Sequence, residues 1–514
     1  MKEKELKKLR KKITESLRVQ KNCPEQVGYV DSSSALVDAV AKQNHVIFGR
    51  RGCGKTLLLF ESTKLIKNER GNLIVYINCE DYKNHSFPNV LIEILDVIFD
   101  KLASNIGFFT LIGRKRMAKK IVNDIKKELG DMRKRADEQS EAIREKLSTE
   151  HNDSLRANIK SDISGVGVSA SDSTKKEIER TYERFDSKID SLNRFLPKLK
   201  KDLSTFFQLI KKIKFVFIQL DDFYHLRREI QPYVMDYMHR LCKDLPLYFK
   251  VATLKHVSTL FIERLGQPVG AQERHDYQPI HIDFTFQDFG KTENQIKSIF
   301  YKYGEMAGCE KELVDSCFKG DGFRRLVLAG GGVPRDCLSL FITAFDNSSE
   351  DYRIGKDEVR LLSLSNLDRR IQELTNDSQR EEQHSLLRSI YTIRKFCIDK
   401  KNNIFLISER LMQENENIKK LIYRLLDYRI IHNVGSAFTH KSQSGDTYNA
   451  FMIDIGCYAN LRKLYGKMNE IDLSSRDAKE QIRSLPIITQ EDFDTIWKSA
   501  PDDLLNEILS KDDE

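Results

Sequence analysis

No apolar run in this chain approaches the roughly 20 residues that a helix needs to cross a bilayer. The opening stretch MKEKELKKLRKKITESLR is basic and has no apolar segment behind it that would make a secretory leader. The expectation is a cytoplasmic protein with no membrane partner. The nine cysteines are odd in number and include no C-x-x-C pair. That argues against a disulfide framework and for a reducing compartment. Any nuclease, protease or deaminase constellation is also missing, which disfavours a self-contained effector.

What is present is a chain of 514 residues, 32% charged and 40% apolar, with a net charge of +8. That length accommodates about three domains, and the composition is that of a helix-rich globular protein. Charge is polarised between the ends. Residues 1–21 carry nine Lys/Arg against three acids, and residues 491–514 carry nine acids against two lysines. Such runs read first as solvated tails.

The segment HVIFGRRGCGKTLLLF, residues 45–60, carries the chemistry. Gly49, Arg50, Arg51, Gly52, Cys53, Gly54, Lys55 and Thr56 satisfy G-x-x-x-x-G-K-[ST] between an apolar strand and a helix that opens near Thr56. Glycines let successive backbone N–H groups face a phosphate, and the helix N-terminus adds a favourable dipole. Lys55 is expected to reach the β- and γ-phosphates of ATP, and the Thr56 hydroxyl to ligate Mg²⁺. Cys53 reads as a small filler, not a redox centre.

After this helix, NLIVYIN (residues 72–78) is expected as a strand beside the P-loop strand, and FVFIQL (215–220) runs into Asp221-Asp222. Paired acids at the end of such a strand suit a Walker B site, in which Asp221 holds hydrated Mg²⁺ and Asp222 polarises the attacking water. A further strand, LPLYFKVATLKH, ends in Thr253-Leu254-Lys255-His256, where a polar side chain would sense the γ-phosphate. Downstream, Gly332-Val333-Pro334-Arg335 opens an apolar helix. In this order the motifs resemble the STAND and origin-recognition branch of AAA+ ATPases over residues 24–465. The resemblance implies an α/β P-loop NTPase with an α-helical lid and a C-terminal winged helix, and it makes Arg335 the sensor 2 arginine. STAND proteins usually carry Thr-x-Arg where this chain has Lys255, a point charge without the bidentate fork. Many AAA+ ATPases have glutamate as the second acid; Asp222 is one methylene shorter, so hydrolysis is expected to be slow.

Between the second strand and Walker B lies an insertion. Ile178, Tyr182, Phe185, Ile189, Leu192, Leu196 and Leu199 alternate steps of four and three, and Ile121, Ile125, Leu129, Met132, Ala136, Ile143 and Leu147 are spaced similarly. This predicts an antiparallel coiled-coil hairpin, a separable contact for a second copy of the chain or an effector protein. An SMC-like ABC ATPase would need a Ser-Gly-Gly signature shortly before Walker B, and the glycine triplet here follows it at 330–332.

Residues 383–465 read as helix, strand, two helices and a two-stranded wing. Lys419, Lys420 and Arg424 are expected to face outward on the third helix, with His440 and Lys441 on the wing, as phosphate contacts for double-stranded DNA. The domain reading is a basic segment (1–23), the ATPase core in two parts (24–110 and 206–286), the helical insertion (111–205), the lid (287–380), the winged helix (381–465) and an acidic C-terminal region (466–514). Two functions fit: a DNA-binding, ATP-dependent switch, or a STAND-type signalling ATPase, for instance in bacterial defence, that regulates a separate partner without touching DNA.

Overall fold

The computed structural model describes residues 2–19, 28–31, 33–106, 113–134, 172–264, 266–347, 353–378, 380–443, 445–459, 461 and 466–509. Its centre is a parallel sheet of five strands, β1 (His45–Phe48), β2 (Asn72–Asn78), β3 (Phe215–Asp221), β4 (Leu247–Thr253) and β7 (Gln278–His281), in the order β2-β3-β4-β1-β7. Strands covered on both faces read as continuous apolar runs, and β1 and β3 are buried almost throughout. The expectation that β2 lies beside the P-loop strand is corrected. It pairs with β3, and β4 separates β3 from β1. The cause is visible in burial: β2 alternates with half-buried positions, as an edge strand does, whereas β4 is buried at all but one position and suits the interior.

The registers set the site. Phe48 lies opposite Thr253 and His281, and Asn78 opposite Asp221. Every candidate nucleotide residue on the sheet therefore emerges at its carboxyl edge, where open α/β sheets bind ligands. An antiparallel hairpin that the sequence reading did not anticipate, β5 (Phe261–Arg264) and β6 (Gln267–Gly270), is inserted between β4 and β7.

The helices Phe289–Ala307, Gly322–Ala329, Pro334–Asn347 and Lys356–Asn376 form a second core. The described part of the basic N-terminal segment, residues 2–19, is not a solvated tail. It is a helix, Lys2–Ser16, whose Leu6, Leu9 and Ile13 are buried in that core because their three-four spacing puts them on one face. Arg10 fixes it to Asp346 at 2.6 Å.

The insertion is likewise part of the core where it is described. Val122, Ile125 and Leu129 on the helix 114–134, and Leu192, Leu196, Leu199, Leu203 and Phe206 on the helix Asp172–Leu209, share one apolar cluster with the Asn89–Ser104 helix and the sheet. Arg133 pairs with Glu93 at 3.0 Å, and Lys198 pairs with Glu128. The inner ends of the predicted hairpin thus cover the sheet and are not separable from it. Ala136, Ile143 and Leu147, and the side chains of Ile178, Tyr182, Phe185 and Ile189, lie outside the described residues.

The C-terminal unit follows the Arg380–Asp399 helix with β8 (Ile404–Ser408), the helices Glu409–Glu414 and Glu416–Asp427, and the strands β9 (Ile431–Phe438) and β10 (Tyr448–Ile453), in the antiparallel order β8-β10-β9. Ser408 caps the first of the two short helices and Asn415 the second. The described part of the acidic C-terminal region, residues 466–509, is also docked. Residues 486–488 run along the open edge of β8, with Leu406 N–H bonded to Pro486 O and Ile488 N–H to Leu406 O, both at 2.9 Å. Phe493, Leu504 and Ile508 are buried beyond them.

Candidate functional site

The P-loop joins β1 to the Lys55–Asn68 helix. Gly52 and Gly54 have φ of 90° and 98°, values that L side chains adopt only with strain. A Cβ at Gly52 would also stand 2.9 Å from the Cβ of Arg335. The loop is braced from beneath. Arg50 is buried and forks onto Asp283 at 2.6 and 2.8 Å, and the Cys53 thiol donates to the same carboxylate at 3.2 Å. Burial pushes Asp283 up, but the charge and hydrogen bonds of Arg50 outweigh it and keep the carboxyl below its ordinary value. Burial raises the Cys53 thiol well out of the titrating range, in keeping with a filler.

Lys55 is buried and donates to Gly49 O at 2.8 Å and Arg50 O at 3.3 Å. Asp221, 1% exposed, accepts from the Tyr76 hydroxyl at 2.8 Å and from Asp222 N–H at 2.9 Å. Burial and the neighbouring Asp222 lift its carboxyl to about 6, against hydrogen bonds from Thr56 and Tyr76 and the charge of Lys55. A cation placed here would relieve that cost, and the oxygen donors of Thr56 and Asp221 suit Mg²⁺. Tyr76 carries no motif; its place two residues before the end of an edge strand is visible only once β2 pairs with β3. Asp222 turns the chain at φ 48° beyond the end of β3.

The remaining candidates separate. Arg335 is exposed, and its N–H meets Gly52 O at 3.4 Å. With Tyr29, Gly52, Gly54, Pro334 and Leu338 it lines a cavity of about 90 Å³ between the P-loop and the Pro334–Asn347 helix. Thr253 is buried and shares a 2.5 Å hydrogen bond with Ser258. Lys255 is exposed and lines a different cavity, of about 310 Å³, with Gly49, Arg50, His256, His281 and Asn433.

Contacts that the sequence reading missed join the C-terminal unit to this site. Arg429, in a left-handed turn at φ 64° and 1% exposed, donates to the carbonyl of Arg51 at 2.5 Å and pairs with Glu373. Arg51 pairs with Asp377 at 2.7 Å, which also accepts from the Tyr428 hydroxyl at 3.0 Å. Asp427 accepts from His256 and Val257 N–H at 2.9 and 2.8 Å, in the loop after β4, and burial raises its carboxyl to about 7. Arg429 follows the amphipathic stretch 418–427 without a glycine or proline to mark a helix end. The helix instead stops at Asp427, and the turn after it delivers these side chains.

The expected DNA contacts are mostly engaged elsewhere. Arg424, read as outward, is largely covered and pairs with Glu382 at 2.5 Å, because the Arg380–Asp399 helix lies against that face. Lys419 pairs with Glu416 at 3.2 Å, Lys441 with Glu480 at 3.1 Å, and His440 meets Leu485 O at 3.2 Å. Lys420 is exposed and makes no ion pair among the described residues.

The sequence matches the ORC-CDC6-like family over residues 28–463. No curated protein matches it. Among solved structures it is similar to Cdc6p from Pyrobaculum aerophilum, at 11% identity and a TM-score of 0.33 over 93% of this chain and 97% of that one. It is also similar to Drosophila ORC bound to DNA, at 11% identity and a TM-score of 0.27 over 81% and 89% of the two chains. A RuvB mutant of Thermotoga maritima matches at 11% identity and a TM-score of 0.26 over 76% and 77%. The family match runs from before the P-loop, across both acids and the four helices of the second core, to the end of the C-terminal sheet, and the chain belongs to the ORC-CDC6-like family of AAA+ ATPases.

Proposed function

We propose that this protein is an ATP-dependent switch that binds duplex DNA through its C-terminal unit, a winged helix, and hydrolyses ATP slowly. The observation that carries the nucleotide reading is the cradle itself: two left-handed glycines, a buried Lys55 amine and a buried Asp221 carboxylate raised by its surroundings. Lys55 would meet the β- and γ-phosphates, and the backbone of residues 49–54 would receive the remaining phosphate oxygens. Thr56 and Asp221 would hold Mg²⁺, which neutralises charge on the transferring phosphate. Arg335 would approach the nucleotide from the lid, and Thr253 and Lys255 from the strand beside Walker B. Asp222 would orient the attacking water. Asp222→Asn is expected to lower turnover by about 10²–10⁴-fold while leaving ATP affinity nearly unchanged. Parallel loss of turnover and affinity would make Asp222 a metal ligand instead.

The DNA reading is tested by salt titration on a labelled duplex, with and without ATP. Wild type is expected to bind weakly, with little sequence preference and more tightly with ATP, its log affinity falling linearly against log salt. Lys419→Glu with Lys420→Glu should flatten the slope by roughly one unit per lost phosphate contact. The contacts of Arg429 with Arg51, and of Asp427 with the loop after β4, favour a second reading, a STAND-type arm that grips the P-loop. That reading calls for no duplex binding even at low salt, and faster nucleotide exchange when Arg429 is replaced.

A further inference from the structure

Beside the cradle, two short turns bring together three side chains that the nucleotide reading uses only in part. Glu80 lies on the turn Cys79–Tyr82 that follows β2, Asp222 directly follows β3, and His225 ends the turn Phe223–His225. The pairing of Asn78 with Asp221 sets the two turns side by side, and the left-handed backbone at Asp222 brings the chain back so that His225 returns to it. One ligand atom from each of the three lies within 4.8 Å of the other two. Asp222 and His225 are half-buried, and neither side chain makes a hydrogen bond with a described residue. The one ion pair of Glu80 among the described residues is a loose contact with Lys83 at 3.9 Å. Two carboxylates this close repel each other, and a cation held between them would offset that repulsion. An imidazole completes a donor set of one nitrogen and two oxygens.

We propose that Glu80, Asp222 and His225 form a site for a divalent ion of borderline softness, Zn²⁺ in particular, and that filling it withdraws Asp222 from ATP hydrolysis. Imidazole with carboxylates selects transition ions over Mg²⁺, which prefers oxygen alone. Three protein ligands leave a fourth position open to water. The inhibitory half rests on the reading of Asp222 as the group that orients water; the metal site itself does not.

The test titrates full-length, nucleotide-free protein with Zn²⁺ by calorimetry, and with Co²⁺ by visible absorption, in wild type, His225→Ala and Glu80→Gln. Each substitution is expected to weaken binding by at least about tenfold, while thermal melting without metal stays as in wild type. Zn²⁺ added at saturating Mg²⁺ and ATP should inhibit turnover, and His225→Ala should move the inhibiting concentration up by the same factor as its loss of affinity. Zn²⁺ binding that is absent, or equal in all three proteins, overturns the site. Binding that depends on His225 but leaves turnover untouched upholds the site and overturns the inhibition. A protein without turnover even after chelation removes the hydrolysis reading, and calorimetry still decides the site.

Discussion

ATP affinity is expected to fall by about a hundredfold or more in Lys55→Ala. The amine sits within the P-loop, bonded to the carbonyls of Gly49 and Arg50; burial lowers its pKa, and the nearby carboxylates of Asp222, Asp221 and Asp283 offset that only in part. Two charge-assisted bonds to phosphate, at about 1.5–3 kcal/mol each, account for that factor. Calorimetric titration with ATP and Mg²⁺ reads the change directly, alongside circular dichroism to confirm that the fold persists. Affinity equal to wild type would place the nucleotide elsewhere.

Arg370→Ala is expected to destabilise the protein by about 3–5 kcal/mol, the cost of breaking a buried ion pair from one side. The Arg370 guanidinium is fully buried where the Lys356–Asn376 helix meets the C-terminal unit. It donates to Asp336 at 2.9 and 3.0 Å, to Ala329 O and Arg429 O at 3.0 Å each, and to Asp454. Alanine would leave two buried carboxylates short of a partner. Burial alone would push Asp336 up, but Arg429, Arg370 and Arg369 hold it down at about 2. A carboxyl depressed in this way contributes stability above its unfolded value near 4 and loses it as pH falls through about 2. In the variant the Asp336 pKa rises, so acid unfolding should begin at a higher pH than in wild type. Urea unfolding at neutral pH and at pH 4 measures both effects. A variant as stable as wild type at neutral pH would show that the carboxylates find other partners.

The parts of this molecule that were legible in its sequence are those with local grammar. The P-loop, the Asp-Asp pair, the Gly-x-Pro turn and the helix-strand alternation each depend on residues within a few positions of one another, and each stands where the spacing put it. What was not legible depends on pairing across long separations. Tyr76 finds Asp221 across 145 positions, Arg429 finds Arg51 across 378, and Arg10 finds Asp346 across 336. Heptad spacing on the insertion suggested a free hairpin because the same period also describes helices lying on a sheet. Likewise, the charge excess at both ends concealed the apolar residues Leu6, Leu9, Ile13 and Phe493, Leu504, Ile508, whose burial only the assembled cores reveal.

The strand-like run at 486–488 has a consequence for how the chain is made. β8 has β10 on one side, and on the other the backbone groups of Leu406 that Pro486 and Ile488 satisfy. During synthesis β8 and β10 leave the ribosome before residues 486–488 do, so the sheet exists for a time with a bare apolar edge. Such edges template pairing with other chains, and partly made domains aggregate through them. Translation that stalls between residues 453 and 486 should therefore yield nascent protein that depends on chaperones, and release past residue 488 should end that dependence.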